Sequence, residues 1–350
     1  MKNFCLSSLF ALGYVILLYS SRHATFKAAA TRREEPEGSG FRRATLIHQP
    51  AIDSYFADWL RPLLFTLEVY METRTVAIGE AKDFNFGRSD IVLVVQRVYH
   101  LKRQKDVSYW FLNTEGPDKN YAEEAIQSGF VDIIDYSLSN IPRLLLKGAQ
   151  RVVWLPIIFT PGVSLHVRRK DICLIGGTNT GRRAFFKKEL EQMAKSGFYS
   201  AIKVREVHGW GFHRDLLSQE WALAVNLASV ENNLAAPRMG LDVLWQYDIP
   251  IVSEEVHLHD SLEYLNTITF VPRERPVDTT LRVWASVVQS YKTQAERVED
   301  YKLRVQVQQR RERQFKKTLS LILGRTSDRT RLFPSIVHNC SLGEDMKEMY

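Results

Sequence analysis

Residues 171–190 read DICLIGGTNTGRRAFFKKEL. The first five residues are apolar enough for a buried strand, and the last eight carry the charge pattern of a surface helix. Between them lie Gly176, Gly177 and Gly181, followed at once by Arg182 and Arg183. The dinucleotide fingerprint G-x-G-x-x-G is not present. A strand, a glycine turn and a helix start still make an anion site, because the first helical turn has unpaired N–H groups and a partial positive charge. Gly176, Gly177 and Asn179 would line such a turn, with Arg182 and Arg183 supplying charge. The competing reading is a solvated first turn, with one arginine facing water or held in a salt bridge.

Outward from this stretch the same alternation recurs. Strand-length apolar runs fall at 44–49, 75–79, 91–97, 108–115, 131–137 and 151–157, then at 171–177, 201–207, 221–228, 248–255 and 266–272. Several are apolar on both faces, as strands covered by helices above and below must be. Helical stretches lie between them, including YAEEAIQSG, which closes on Gly129, and segments near 182–196 and 236–247. The fold class is therefore α/β: two Rossmann-like domains facing a cleft. The N-terminal one spans 43–162 and the C-terminal one 168–276, with a break at TPG, residues 160–162. A helical segment, 277–325, follows, with Trp284, Val288, Tyr291, Ala295 and Val298 as its apolar stripe, and 326–350 form a tail.

Composition sets limits around this. The chain has 350 residues, 45% hydrophobic and 25% charged, with three cysteines and a net charge of +7. Cysteine this sparse rules out a disulfide framework, and no C-x-x-C metal spacing occurs. His257 and His259 with Asp260 are read as loop residues, because a metal needs a third nearby ligand. The basic run YKLRVQVQQRRERQFKK, 301–317, holds seven Lys and Arg against Glu312. It is expected to be a solvated face of a long helix. With Tyr301 and Phe315 as its aromatics and no recognition module around it, no nucleic acid is expected.

Residues 4–20, FCLSSLFALGYVILLYS, are apolar and uncharged. They are marginal in length for a membrane span, which needs about 20 residues. Residues 1–22 are expected to act as signal anchor or signal peptide and 23–42 as a flexible stem. The expected setting is a single-pass membrane protein with its body in the Golgi or ER lumen, the membrane being a partner through 4–20.

Several phrases carry a resemblance. WFLNTEGP, then DIIDYSLSNIPRLLLKGAQRVVWLP, then ICLIGGTNTGRR, GWGFHRD and DIPIVSE occur in this order over residues 107–255. Together they resemble a group of GT-B-type glycosyltransferase-like proteins found in bacteria and large viruses. The resemblance implies two Rossmann-like domains, the second holding a nucleotide-diphosphate sugar and the first a glycan, protein or lipid acceptor. It implies metal-independent chemistry with no cofactor beyond the donor, in line with the absence of any D-x-D. Charge develops on the departing diphosphate, and a helix start with arginines can neutralise it. Arg183 matches the family's second arginine and is the first choice for that role, ahead of Arg182. Arg238, just after Pro237 at a helix start, is a further candidate. Glu231 and Glu254 are the carboxylates expected to face the donor. The paired-glutamate spacing of many such enzymes is missing, since Met239 stands where the second would be. Asn113 and Glu115 end a strand of the first domain and are expected to face the acceptor. For a catalytic base, the first strand offers His48 at its end and Asp53 in the loop after it. The alternative to an enzyme is a GT-B-fold binding protein that has lost the chemistry.

Overall fold

A computed structural model of the chain describes residues 43–48, 59–60, 62–87, 90–98, 101–105, 107–116, 120–158, 171–175, 181–196, 204–207, 221–227, 245, 249–256, 264, 267–273, 276–289 and 294–324. Two separate parallel sheets organise them. The first contains β1 (Arg43–His48), β2 (Glu72–Ala77), β3 (Asp90–Val95), β4 (Ser108–Asn113), β5 (Asp132–Asp135) and β6 (Arg151–Trp154), in the order β2-β1-β3-β4-β5-β6. The second contains β7 (Asp171–Ile175), β8 (Val204–Val207), β9 (Trp221–Asn226), β10 (Ile251–Glu254) and β11 (Ile268–Val271), in the order β11-β10-β9-β7-β8. In each sheet the chain first moves one way from its opening strand and then returns to the other side. The strand order therefore reverses between β1 and β3, and again between β7 and β9.

Alternation along the strands explains why the first sheet is apolar on both faces. Leu46, Ile91, Leu93, Trp110, Leu112, Ile134 and Val153 point to one side, packing with Trp59, Leu63 and Leu67 from the helical stretch that includes α1 (62–68). Ile47, Val92, Val94, Phe111, Ile133 and Val152 point to the other, packing with Ala122 and Ala125 of α2 (Tyr121–Gln127) and Ile141 and Leu144 of α3 (Ile141–Leu146). The Trp59 indole N–H donates to the Leu155 carbonyl at 2.9 Å, tying the helix to the end of β6. Gly129 closes α2 with φ +86, its N–H bonding Ile126 O and that of Phe130 bonding Ala125 O. A left-handed residue here is a common helix stop, and glycine takes it without steric cost. On the second sheet, Leu223, Val225 and Val252 pack against Phe186 and Leu190 of α4 (Gly181–Lys195) and Val277 and Leu281 of α5 (Pro276–Gln289).

Burial raises the Tyr109 phenol above its ordinary 10.0, and its oxygen accepts the Gln104 N–H at 3.0 Å. A raised folded-state pKa means stability is fully present below pH 10 and is lost as pH rises above it. Tyr109→Phe should flatten the fall in melting temperature above pH 10, while melting slightly lower at neutral pH from the lost acceptor. Melting curves against pH check this.

The terminal helices depart from expectation. The apolar stripe read as one run is divided between α5 and α6 (Gln294–Ile322), and Ala295 and Val298 are exposed. The basic run is solvated only in part: Lys302, Arg313, Lys316 and Lys317 are exposed, whereas Arg304 and Arg311 are not. Arg304, Val307, Gln308, Arg311, Phe315, Thr318, Leu319 and Ile322 are all buried, at spacings that form one stripe. Arg304 donates to the Trp245 carbonyl at 3.3 Å. Arg311 donates to the Ile157 carbonyl at 3.2 Å and to the Tyr264 hydroxyl at 3.4 Å, with Trp245 and Tyr264 rings beside its guanidinium. Thr318 bonds the Trp154 carbonyl, and Phe315, Leu319 and Ile322 enter the first sheet's core. At 1.5 Å per residue α6 is about 44 Å long, enough to touch both halves. Arginine serves on such a face because its long stem packs while its planar head reaches backbone carbonyls.

Residues 4–20, the expected anchor, lie outside the described residues. Among those described, no helix is long and apolar enough to cross a membrane.

Candidate functional site

In open parallel sheets a ligand sits beyond the carboxyl ends of the strands, where strand order reverses. For the second sheet that place is the end of β7 and β9, and α4 begins there. Gly181 opens α4 with φ +66, a left-handed conformation that a side chain resists. Gly176, Gly177 and Asn179 lie outside the described residues, so Gly181 is the glycine of this stretch whose need is visible.

Arg182 and Arg183 occupy the first turn of α4, where the helix dipole disfavours a cation unless an anion is near. For Arg182 the chain itself supplies the anion. Its Nη1 and Nη2 donate to the two Glu254 oxygens at 2.9 and 2.5 Å, and Nη2 also reaches the Arg273 carbonyl at 3.4 Å. Glu254 ends β10 and is 1% exposed, so its carboxylate is buried against the Arg182 guanidinium. The two residues expected to meet the donor separately are thus brought together as a fork-to-fork pair. Arg183 donates from Nε to the Leu227 carbonyl at 2.9 Å, which anchors the helix start to the end of β9. Glu231 and Arg238 lie outside the described residues, as do His257, His259 and Asp260.

Asn226, the last residue of β9, was not anticipated. It stands opposite Ile175 and Ser253 in the ladder and is 1% exposed. Its Nδ2 donates to Ser253 Oγ at 2.8 Å, and Ser253 gives its own proton to the Glu254 carbonyl at 3.0 Å. That order fixes the amide's orientation, and Asn226 Oδ1 is left without a hydrogen-bond partner among the described residues.

At the first sheet's edge, His48 ends β1 half-buried, its carbonyl accepting the Ile78 N–H at 2.9 Å. Asp53 lies outside the described residues. Asn113 and Glu115 do come together: Asn113 Nδ2 donates to the Glu115 carbonyl at 3.1 Å and to Asp135 Oδ2 at 2.7 Å. Asp135, fully buried at the end of β5, also accepts the Ser137 N–H at 2.7 Å and the Asn140 amide at 3.2 Å. These bonds satisfy a buried carboxylate and knit the ends of β4 and β5. Glu115 Oε1 accepts from Gln96 Nε2 at 2.9 Å. Gln96 and Asn140 were missed. Asn140 stands just before the Ile-Pro that opens α3, a helix-start signal that was available in the sequence. Nothing local marks Gln96.

No protein-family model matches the chain. An uncharacterized protein of Acanthamoeba polyphaga mimivirus is 25% identical over 265 residues, which is 69% of this chain and 80% of that protein. Among solved structures, HepE of Anabaena in complex with UDP is similar at a TM-score of 0.51 and 7% identity, over 82% of this chain and 100% of HepE. TarM gives a TM-score of 0.47 at 9% identity over 67% of this chain. The chain spans 55% of TarM's own length. At such identities the likeness to HepE is one of fold.

Proposed function

We propose that the chain is a glycosyltransferase that moves a sugar from a nucleotide-diphosphate sugar to an acceptor by a metal-independent GT-B mechanism. The observation that carries this is the start of α4, with its two arginines, at the strand-order reversal of the second sheet. HepE, a solved structure of similar fold, was obtained in complex with UDP, which supports a nucleotide diphosphate as the donor's leaving group. Arg183 contacts the diphosphate and stabilises the charge that develops as the glycosidic bond breaks. Arg182, held by Glu254, keeps the turn in place. Glu231 and Arg238 complete the donor side, and Asn113 and Glu115 the acceptor side. His48 or Asp53 takes the acceptor proton. The apolar run 4–20 is proposed as a signal anchor.

Arg183→Ala should weaken nucleoside diphosphate binding about tenfold to a hundredfold, the equivalent of a charge-assisted contact of ~1.5–3 kcal/mol. Arg183→Lys should recover part of it, since an ammonium keeps the charge and loses the fork. Calorimetric titration with uridine and guanosine diphosphates checks this. If the parent binds one of them and turns over no nucleotide sugar, the chain is a GT-B-fold binding protein. If it binds neither, the glycosyltransferase reading fails.

A further inference from the structure

Beyond Val95 the chain does not run straight out of β3. Gln96 has φ +65, and among the described residues it is the non-glycine residue with positive φ. The Arg97 N–H returns to the Val95 carbonyl at 2.7 Å, closing a three-residue turn around Gln96. A γ-turn with positive central φ is rare and strained, and strain of this sort persists only where the surroundings dictate it. Glycine would adopt the turn without cost. A glutamine kept there points to a use for its side chain.

That use is visible. Gln96 is 7% exposed, and its backbone N–H still donates to the Leu112 carbonyl at 3.0 Å, so the turn is docked on β4. From this seat its amide donates to one oxygen of Glu115 at 2.9 Å. Asn113, held in turn by Asp135, grips the Glu115 carbonyl from the other side. Thr114, between them, is 6% exposed, and its hydroxyl has no hydrogen-bond partner among the described residues. Arg97 is directed elsewhere, onto the ring and hydroxyl of Tyr121. β3 adjoins β1 where the first sheet's order reverses, which is where a ligand of that sheet belongs.

We propose that Gln96 is a positioning residue whose strained turn sets the Glu115 carboxylate against a hydroxyl of a saccharide acceptor. The inference rests on the glycosyltransferase reading and names its acceptor class. A carboxylate accepts O–H bonds and so suits a hydroxyl-bearing acceptor. A carboxylate held in place also repels an anionic acceptor.

The test uses the full chain with Gln96→Gly, which keeps the left-handed turn and removes the amide, and Glu115→Gln. Gln96→Gly should raise the melting temperature by about 1–3 °C through relieved strain. Nucleoside diphosphate binding should stay within about twofold of the parent in both variants, because neither touches the second sheet. Transfer to free glucose, galactose or N-acetylglucosamine should fall about tenfold or more in both, chiefly through a higher acceptor KM. Parental transfer by Gln96→Gly, or a lower melting temperature than the parent, overturns the inference. A parent that binds nucleotide and transfers to none of these sugars overturns the saccharide acceptor. A parent that binds no nucleoside diphosphate overturns the proposed function itself, and the titration separates that case from the others.

Discussion

Phe315→Ala should destabilise the protein by about 3–5 kcal/mol, the usual cost of emptying a buried aromatic site. Phe315 is 2% exposed and packs in the same cluster as Leu46, Leu93, Trp110 and Leu112 of the first sheet, yet it belongs to α6, far along the chain. Its loss weakens the attachment of α6 to the first sheet rather than the sheet alone. Arg311→Met should cost less, because the stem's volume is kept and the bonds lost to described residues go to neutral oxygens, Ile157 O and the Tyr264 hydroxyl. Denaturant unfolding of both variants checks this. If Phe315→Ala unfolds at the parental midpoint, α6 does not hold the first sheet's core.

Arg182→Ala should be of similar size, about 3–5 kcal/mol, for a different reason. It leaves Glu254, 1% exposed, as a buried charge without its fork. The double variant Arg182→Met with Glu254→Leu should recover most of the loss, since it removes the buried carboxylate together with its fork. Nucleoside diphosphate binding by the double variant then reports on the site alone. If Arg182→Ala is as stable as the parent, the pair is not structural. Comparison with Arg183→Ala is informative here: Arg183 should change binding with little change in folding, and Arg182 should change folding first.

Most strands were legible because they are local runs of apolar, often β-branched residues whose burial needs no knowledge of the partner. DIVLVV and SYWFLN are examples, buried almost throughout. Gly129 was legible for the same reason, since a helix stop is decided within one turn. The six-residue α3 was not read, because its LLLK lies next to a proline and is too short for a helical period to show. Near the opening stretch, the sequence indicated a helix over about 182–196 with arginines in its first turn, and α4 begins at Gly181. It did not show which arginine had a partner within the chain.

What the sequence determined by itself is the succession of eleven parallel strands in two groups and the arginine-bearing helix start. Each of these is set by residues close together in the chain. What only the tertiary structure decided is where strand order reverses, the Arg182–Glu254 pair, the strained turn at Gln96, and the burial of Arg304 and Arg311. Arg304 and Arg311 look solvated until carbonyls and aromatic rings from distant segments, Trp245, Tyr264 and Ile157, meet them. A glutamine shows no preference for positive φ until Leu112 of the neighbouring strand, and Glu115 just beyond that strand's end, hold it there. In each case the energy of a polar group depends on partners that sequence separation conceals, whereas the energy of an apolar strand depends mainly on leaving water.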